Sequence, residues 1–221
     1  MPVIKLQPER IGRKRENSMT LYPFYFVIAA VTVISPGPGV VMTLTNSLNY
    51  GLKGAFGGIL GISFGALVIA AVSATSLGVV LSSSVFAFTL LKCVGAAYLV
   101  YLGFRLWRAP TFKFNDQAVS ATGFGRNFFK GMTLQFTNPK AIFFFLSVLP
   151  QFIDQKMNYV VQFFLMAATY SLLIIAVHGL YALGARQTRS WLTSEAGGLA
   201  INRIGGAIFL LFAMLLAISS R

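Results

Sequence analysis

Acidic residues are almost missing from this chain. Glu9, Glu16, Asp116, Asp154 and Glu195 are the five among 221 residues, and all lie outside the apolar stretches. Cys93 is the only cysteine, so no disulfide can form within the chain, and it reads as a small apolar helix residue. His178 is the only histidine. One histidine, one cysteine and no acid within an apolar stretch do not supply the converging side chains of an intramembrane enzyme or a metal centre. No catalytic residue, metal or cofactor is expected. Charge of both signs amounts to 10% of residues against 56% hydrophobic, with a mean hydropathy of +0.74. That composition belongs to a membrane protein. Too little polar chain is left for a soluble fold, so the net charge of +13 does not indicate nucleic-acid binding. The basic residues instead flank hydrophobic segments, as they do in cytoplasmic loops.

Six stretches reach the roughly 20 apolar residues that a spanning helix needs. They cover about 21–48, 54–82, 85–107, 126–150, 158–184 and 201–219. The expected fold is all-α, with six transmembrane helices in one domain over 19–221. Its halves are about 20–108 and 126–219, joined by a polar loop at about 109–125. Residues 1–18 are polar and read as a basic tail or an over-long gene start, Met19 being the alternative start. They are too polar to hold the apolar core of a signal peptide.

Two helix-breaking motifs interrupt these stretches, Ser35-Pro36-Gly37-Pro38-Gly39 in the first and Thr137-Asn138-Pro139-Lys140 in the fourth. Proline removes a backbone donor and clashes with the preceding turn. An unpaired backbone group in lipid is costly, so such breaks survive where they face protein or a watery cavity. Pro36 and Pro139 stand 103 residues apart, and Val94-Gly95-Ala96-Ala97 is matched by Ile204-Gly205-Gly206-Ala207, 110 residues on. Three spans is an odd number, so a second copy enters the membrane from the opposite side. The pattern predicts a 3+3 inverted repeat with broken first and fourth helices, the plan of a transporter with a midplane site.

The breaks offer the chemistry an amino acid needs. A half-helix amino terminus suits a carboxylate, and unwound carbonyls suit an ammonium. Gly37 and Gly39 let backbone approach a ligand, and Thr137 and Asn138 add hydrogen-bonding side chains. Lys92 and Lys140 have no intramembrane acid to pair with, and a lysine in a span is a functional candidate unless it snorkels to an interface. The candidate binding residues are therefore Ser35, Pro36, Gly37, Pro38, Gly39, Thr137, Asn138, Pro139 and Lys140. His178 and Lys92 are candidates for ion coupling, His178 because its unperturbed pKa lies near neutrality. Gly57, Gly61 and Gly65 recur every four residues and predict close helix packing. Phe143, Phe144 and Phe145 are expected to face lipid or core.

Lys53, then Arg105, Arg108, Lys113, Arg126 and Lys130, then Arg186, Arg189 and Arg203 fall in the loops after the first, third and fifth stretches. The other side holds Lys156 and Arg221, apart from the five positives of the tail. The positive-inside rule puts the three basic loops in the cytoplasm and both termini outside.

Ser35 to Gly39, followed by Asn46-Ser47-Leu48, Gly51 and Gly54, resembles the first-helix signature of the LysE/RhtB amino-acid exporter family. Leu91 to Leu99 with Leu102-Gly103 and Trp107 resembles its third helix, and Leu134 to Phe152 its fourth. The likeness covers about residues 19–219 and is nearest to the homoserine/threonine-efflux branch. It implies a multi-pass protein of the bacterial inner membrane whose partners are lipid and a small amino-acid substrate, with a homo-oligomer left open. It implies export of small neutral amino acids or derivatives, homoserine, threonine or leucine-like, by secondary active alternating access. Many members carry an aspartate in the second helix, where this chain has Gly65-Ala66-Leu67, so the resemblance assigns no coupling residue. The alternative is a non-transporting membrane subunit or assembly factor, against which the paired breaks count.

Overall fold

The computed structural model describes residues 9–83, 85–111, 123–154 and 157–218. Every regular element among them is helical. Helix α1 (Glu9–Ile34) begins inside the stretch read as a polar tail and carries the apolar segment Tyr22–Ile34 at its end. Helix α2 (Pro38–Ser83) starts at the second proline of the first break, where a missing N–H leaves nothing unsatisfied. At 46 residues it would reach about 69 Å if straight, over twice a bilayer core. Gly51, with φ 67 and ψ −170, divides it. A left-handed φ costs glycine little and any other residue more. The two arms fold back on each other, so that a Cβ placed on Gly58 would sit 3.1 Å from both Met42 and Asn46. The sequence boundary between the first two stretches thus falls at Gly51.

Helix α3 (Val85–Trp107) is the third apolar stretch, and α4 (Phe124–Phe136) opens the fourth. After the second break comes α5 (Pro139–Phe143), then a π turn over Phe144–Val148 and a 3₁₀ turn over Leu149–Phe152. Pro150 explains the irregularity: it has no N–H to donate, and its ring would strike the carbonyl four residues back. Helices α6 (Tyr159–Leu183), α7 (Ala185–Thr193) and α8 (Glu195–Ile218) complete the chain. Helix α7 lies where the sequence reads as loop. It buries Ala185 and Leu192 and turns Arg186 and Trp191 outward. Among the described residues, Pro38–Ala74, Tyr159–Leu183 and Glu195–Ile218 are long and apolar enough to cross a membrane. The breaks leave Tyr22–Ile34 and Pro139–Phe152 as shorter apolar pieces.

Small residues set the packing. A Cβ on Gly57 would lie 2.6 Å from the Phe124 carbonyl oxygen, and one on Gly61 2.0 Å from that of Phe128. Gly131 faces back, its Cβ position 2.3 Å from the Gly58 carbonyl oxygen. The second arm of α2 and α4 therefore run parallel in backbone contact, as the glycine spacing predicts. Helices α3 and α8 cross antiparallel through Gly103 and Gly206, whose Cβ positions would each lie within 3.1 Å of the other's carbonyl oxygen. Helix α6 runs beside the first arm of α2, where Ser47 Oγ donates to the Ala182 carbonyl at 2.7 Å. The core where α6 meets the π turn is aromatic. The Tyr170 ring lies tilted 4.6 Å from Phe144 and edge-on 4.9 Å from Phe145, both fully buried. Phe143 is 40% exposed and packs on Tyr98 at 4.5 Å.

Candidate functional site

The carboxy-terminal end of α1 leaves carbonyls that no helix turn can satisfy. Side chains take three of them. Ser35 Oγ donates to the Thr32 carbonyl at 3.0 Å, Tyr181 Oη to that of Ile34 at 2.8 Å, and Lys140 Nζ to that of Ser35 at 2.9 Å. Lys140 Nζ also reaches Ser35 Oγ at 3.1 Å. The lysine of the second break thus caps the helix that the first break ends. A cation at a helix carboxy terminus also complements the helix dipole.

Asn138 shapes the second break. Its extended backbone ends α4, and its Oδ1 accepts the Lys140 amide at 3.1 Å. Pro139 then occupies the first position of α5, where its missing donor does no harm. Asn138 Nδ2 donates to Gln135 Oε1 at 3.4 Å, and Tyr98 Oη donates to the Pro139 carbonyl at 3.2 Å. Thr137 Oγ1 turns back to the Thr133 and Leu134 carbonyls and is exposed.

Between the breaks lies a cavity of about 20 Å³. Gly37, Gly39, Asn138, Lys140 and His178 line it, with Thr32, Gln135 and Tyr170. His178 is buried, shares a 2.8 Å hydrogen bond with Thr43 Oγ1 through Nδ1, and lies 3.1 Å from the Cβ position of Gly39. A space of that size holds about one water, far less than an amino acid. Lys140 is the only lysine or arginine lining it, and no carboxylate does so, among the described residues.

The candidate residues from the two motifs therefore meet, though not all in one role. Gly37, Gly39, Asn138 and Lys140 line the cavity, and Ser35 joins them through its hydrogen bond with Lys140. Pro36, Pro38, Pro139 and Thr137 shape the chain around it without lining it. Lys92, half-buried on α3, is absent from the lining. Thr32, Gln135 and Tyr170 were not legible as site residues. Gln135, three positions before Asn138, carried a signal in being a polar residue within an apolar stretch. Among the described residues no three metal-ligating side chains cluster.

The family described as LysE type translocator matches residues 30–220. The homoserine/homoserine lactone efflux protein of Salmonella typhimurium is 32% identical over 193 residues, 87% of this chain and 94% of the relative. An uncharacterized membrane protein of Vibrio cholerae is 34% identical over 197 residues, again 87% and 94%. The uncharacterized membrane protein YrhP of Bacillus subtilis is 32% identical over 160 residues, 68% and 76%. No solved structure matches.

Proposed function

The chain belongs to the LysE type translocator family, and from that premise we propose that it exports small neutral amino acids, homoserine, threonine or leucine-like, from the cytoplasm. Membership makes it a multi-pass bacterial membrane transporter rather than an enzyme. The observation that carries the export reading is the hydrogen bond from Lys140 to the Ser35 carbonyl, which joins two breaks 105 residues apart at one cavity.

The mechanism proposed is secondary active alternating access. A cavity of about 20 Å³ has no room for an amino acid, so a binding state requires the breaks to part. Lys140 would take the substrate carboxylate, the carbonyl of Ser35 the ammonium, and Asn138 and Gln135 the remaining polar groups. The halves would form a 3+3 inverted repeat of six spans. That reading is supported by the pairing of elements: the first span lies along the fifth, the second along the fourth, and the second meets the fifth, as the third meets the sixth, antiparallel.

The test is efflux of labelled homoserine, threonine and leucine from loaded cells with and without the protein. Faster loss of at least one label is expected. Identical loss of all three would favour a non-transporting membrane subunit.

A further inference from the structure

Helices α3 and α4 each carry a pair of exposed cations, Arg105 and Arg108 on α3, Arg126 and Lys130 on α4. None of the four forms an ion pair among the described residues. Both pairs stand at the same end of the molecule. The carbonyls of Ala109 and Pro110, just past α3, accept from Asn202 in the first half of α8 at 3.3 Å. Asn127 at the start of α4 donates to the Gly54 carbonyl, beside the bend of α2, at 2.9 Å. Helix α7 links these places: it follows the end of α6, where Ala182 accepts from Ser47, and leads into α8. From that end α3 and α4 both lead to the second break, where Tyr98 Oη donates to the Pro139 carbonyl at 3.2 Å. On the way α3 packs on α8, and α4 on the second arm of α2. Their other faces are open. A groove of about 530 Å³ lies against Tyr101, Phe104, Arg105 and Arg108, and one of about 610 Å³ runs along α4 from Arg126 to Thr137.

We propose that these two faces hold one anionic phospholipid, its phosphate on the four cations and its acyl chains along the rings beside them. Tyr101, Phe104 and Phe129 are about half exposed or more, and their apolar bodies suit lipid chains. Arg105 and Arg108 each lie one helical turn beyond a ring. The Arg105 guanidinium is 5.9 Å from the centre of the Tyr101 ring, and that of Arg108 is 5.8 Å from the centre of the Phe104 ring. Each arginine is therefore folded back over a ring of its own helix, where a snorkelling side chain would extend away from the apolar surface. A guanidinium carries several N–H donors in a fork that fits a phosphate. The use made of them among the described residues is one long hydrogen bond, from Arg105 to Tyr101 Oη at 3.5 Å. Basic pockets between membrane helices select anionic headgroups, because a zwitterionic headgroup brings its own cation against theirs. A soluble phosphate ester has no chains to lay along the rings, so the lipid is the better occupant. The proposal needs the membrane setting that family membership gives and is independent of which solute is carried.

Brominated lipids test this on the full chain in vesicles. Trp107 and Trp191 are the two tryptophans, and Trp107 stands between the two arginines in the sequence of α3. In a Trp191→Phe protein it reports lipid on that helix. Its quenching by brominated phosphatidylglycerol is compared with quenching by brominated phosphatidylcholine, each titrated into vesicles of plain phosphatidylcholine. Phosphatidylglycerol should be preferred by about five-fold or more, the scale of one basic residue at an anionic surface. Arg105→Gln with Arg108→Gln should bring the preference within about two-fold, and so should Arg126→Gln with Lys130→Gln, which alter no residue of α3. Arg186→Gln, on α7, should leave it unchanged. No preference in the starting protein, or an effect of the α3 pair alone, overturns the shared site. An equal loss in Arg186→Gln reduces it to diffuse surface charge and overturns it as well. So does displacement of the lipid by excess glycerol 3-phosphate, which would make this a site for soluble phosphate. If a double variant does not accumulate, Arg105→Gln and Lys130→Gln singly should each lower the preference by about two-fold or more, and an unchanged preference in either is decisive against the proposal. None of these readouts requires transport, so their failure and failure of the export reading are separate.

Discussion

Ser63 and Ser171, 108 residues apart, hydrogen-bond each other reciprocally: Ser63 Oγ reaches the Ser171 carbonyl at 3.2 Å, Ser171 Oγ reaches the Ser63 carbonyl at 3.5 Å, and the two hydroxyls touch. Each residue does to the other what the other does to it. The contact joins the second arm of α2 to α6.

The serine pair is exchangeable, so its members should couple. Ser63→Ala and Ser171→Ala remove the same hydroxyl–hydroxyl contact. A double-mutant cycle on unfolding in detergent should return a coupling near 0.6 kcal/mol, the usual scale for hydrogen bonds between membrane helices. Strict additivity would mean that each serine bonds its own helix instead.

The glycine seam between α2 and α4 tolerates no side chain at its tightest point. A methyl on Gly61 would need to sit 2.0 Å from the Phe128 carbonyl oxygen, and a backbone atom does not swing aside. Gly61→Ala should destabilise by about 1–3 kcal/mol, the scale of overpacking. Gly179 has nothing within 4 Å of its Cβ position, so Gly179→Ala should be neutral or slightly stabilising. Thermal unfolding of both variants separates a specific seam from a general intolerance of alanine.

Both breaks and the glycine stripe were legible in the sequence because their signals are local. Proline acts on its own turn, and glycine spacing every four residues names one helix face. The contact from Lys140 to Ser35 was not legible, since nothing local says which of two lysines turns inward or what it meets 105 residues away. Helix α7 was missed for another reason. Its Arg186, Gln187 and Arg189 give it the composition of a loop, while its burial rests on Ala185 and Leu192 alone. The Phe144–Val148 π turn follows from Pro150 after the fact, but proline alone does not say how the preceding turn will yield. The start of α1 at Glu9 also departs from the sequence reading, because polar residues can extend a helix that an apolar segment anchors further along.

The orientation expected from the sequence rests on charge: the loops after the first, third and fifth apolar stretches carry most of the lysine and arginine, and the positive-inside rule would put them in the cytoplasm. A reporter active only in the cytoplasm should work when inserted near residue 115 and fail when fused after Arg221. A working fusion at Arg221 would reverse the assignment and give the five positives of residues 1–18 the controlling role.

Asn138 separates folding from recognition. Its Oδ1 accepts the Lys140 amide and so fixes where α5 begins and where the lysine side chain departs. Asn138→Ala should cost about 1 kcal/mol through the lost cap and lower homoserine counterflow, because Lys140 loses its starting point. Serine and aspartate both cap helices well, so Asn138→Ser and Asn138→Asp should each recover the stability. Only the serine should recover transport. Asn138 and Lys140 line the same cavity, so an aspartate there supplies a fixed carboxylate to an ammonium that otherwise waits for the substrate's. The variant should be folded, stable and slow. Wild-type counterflow by Asn138→Asp would show that no anion competes at this site and would remove the carboxylate from the role assigned to it.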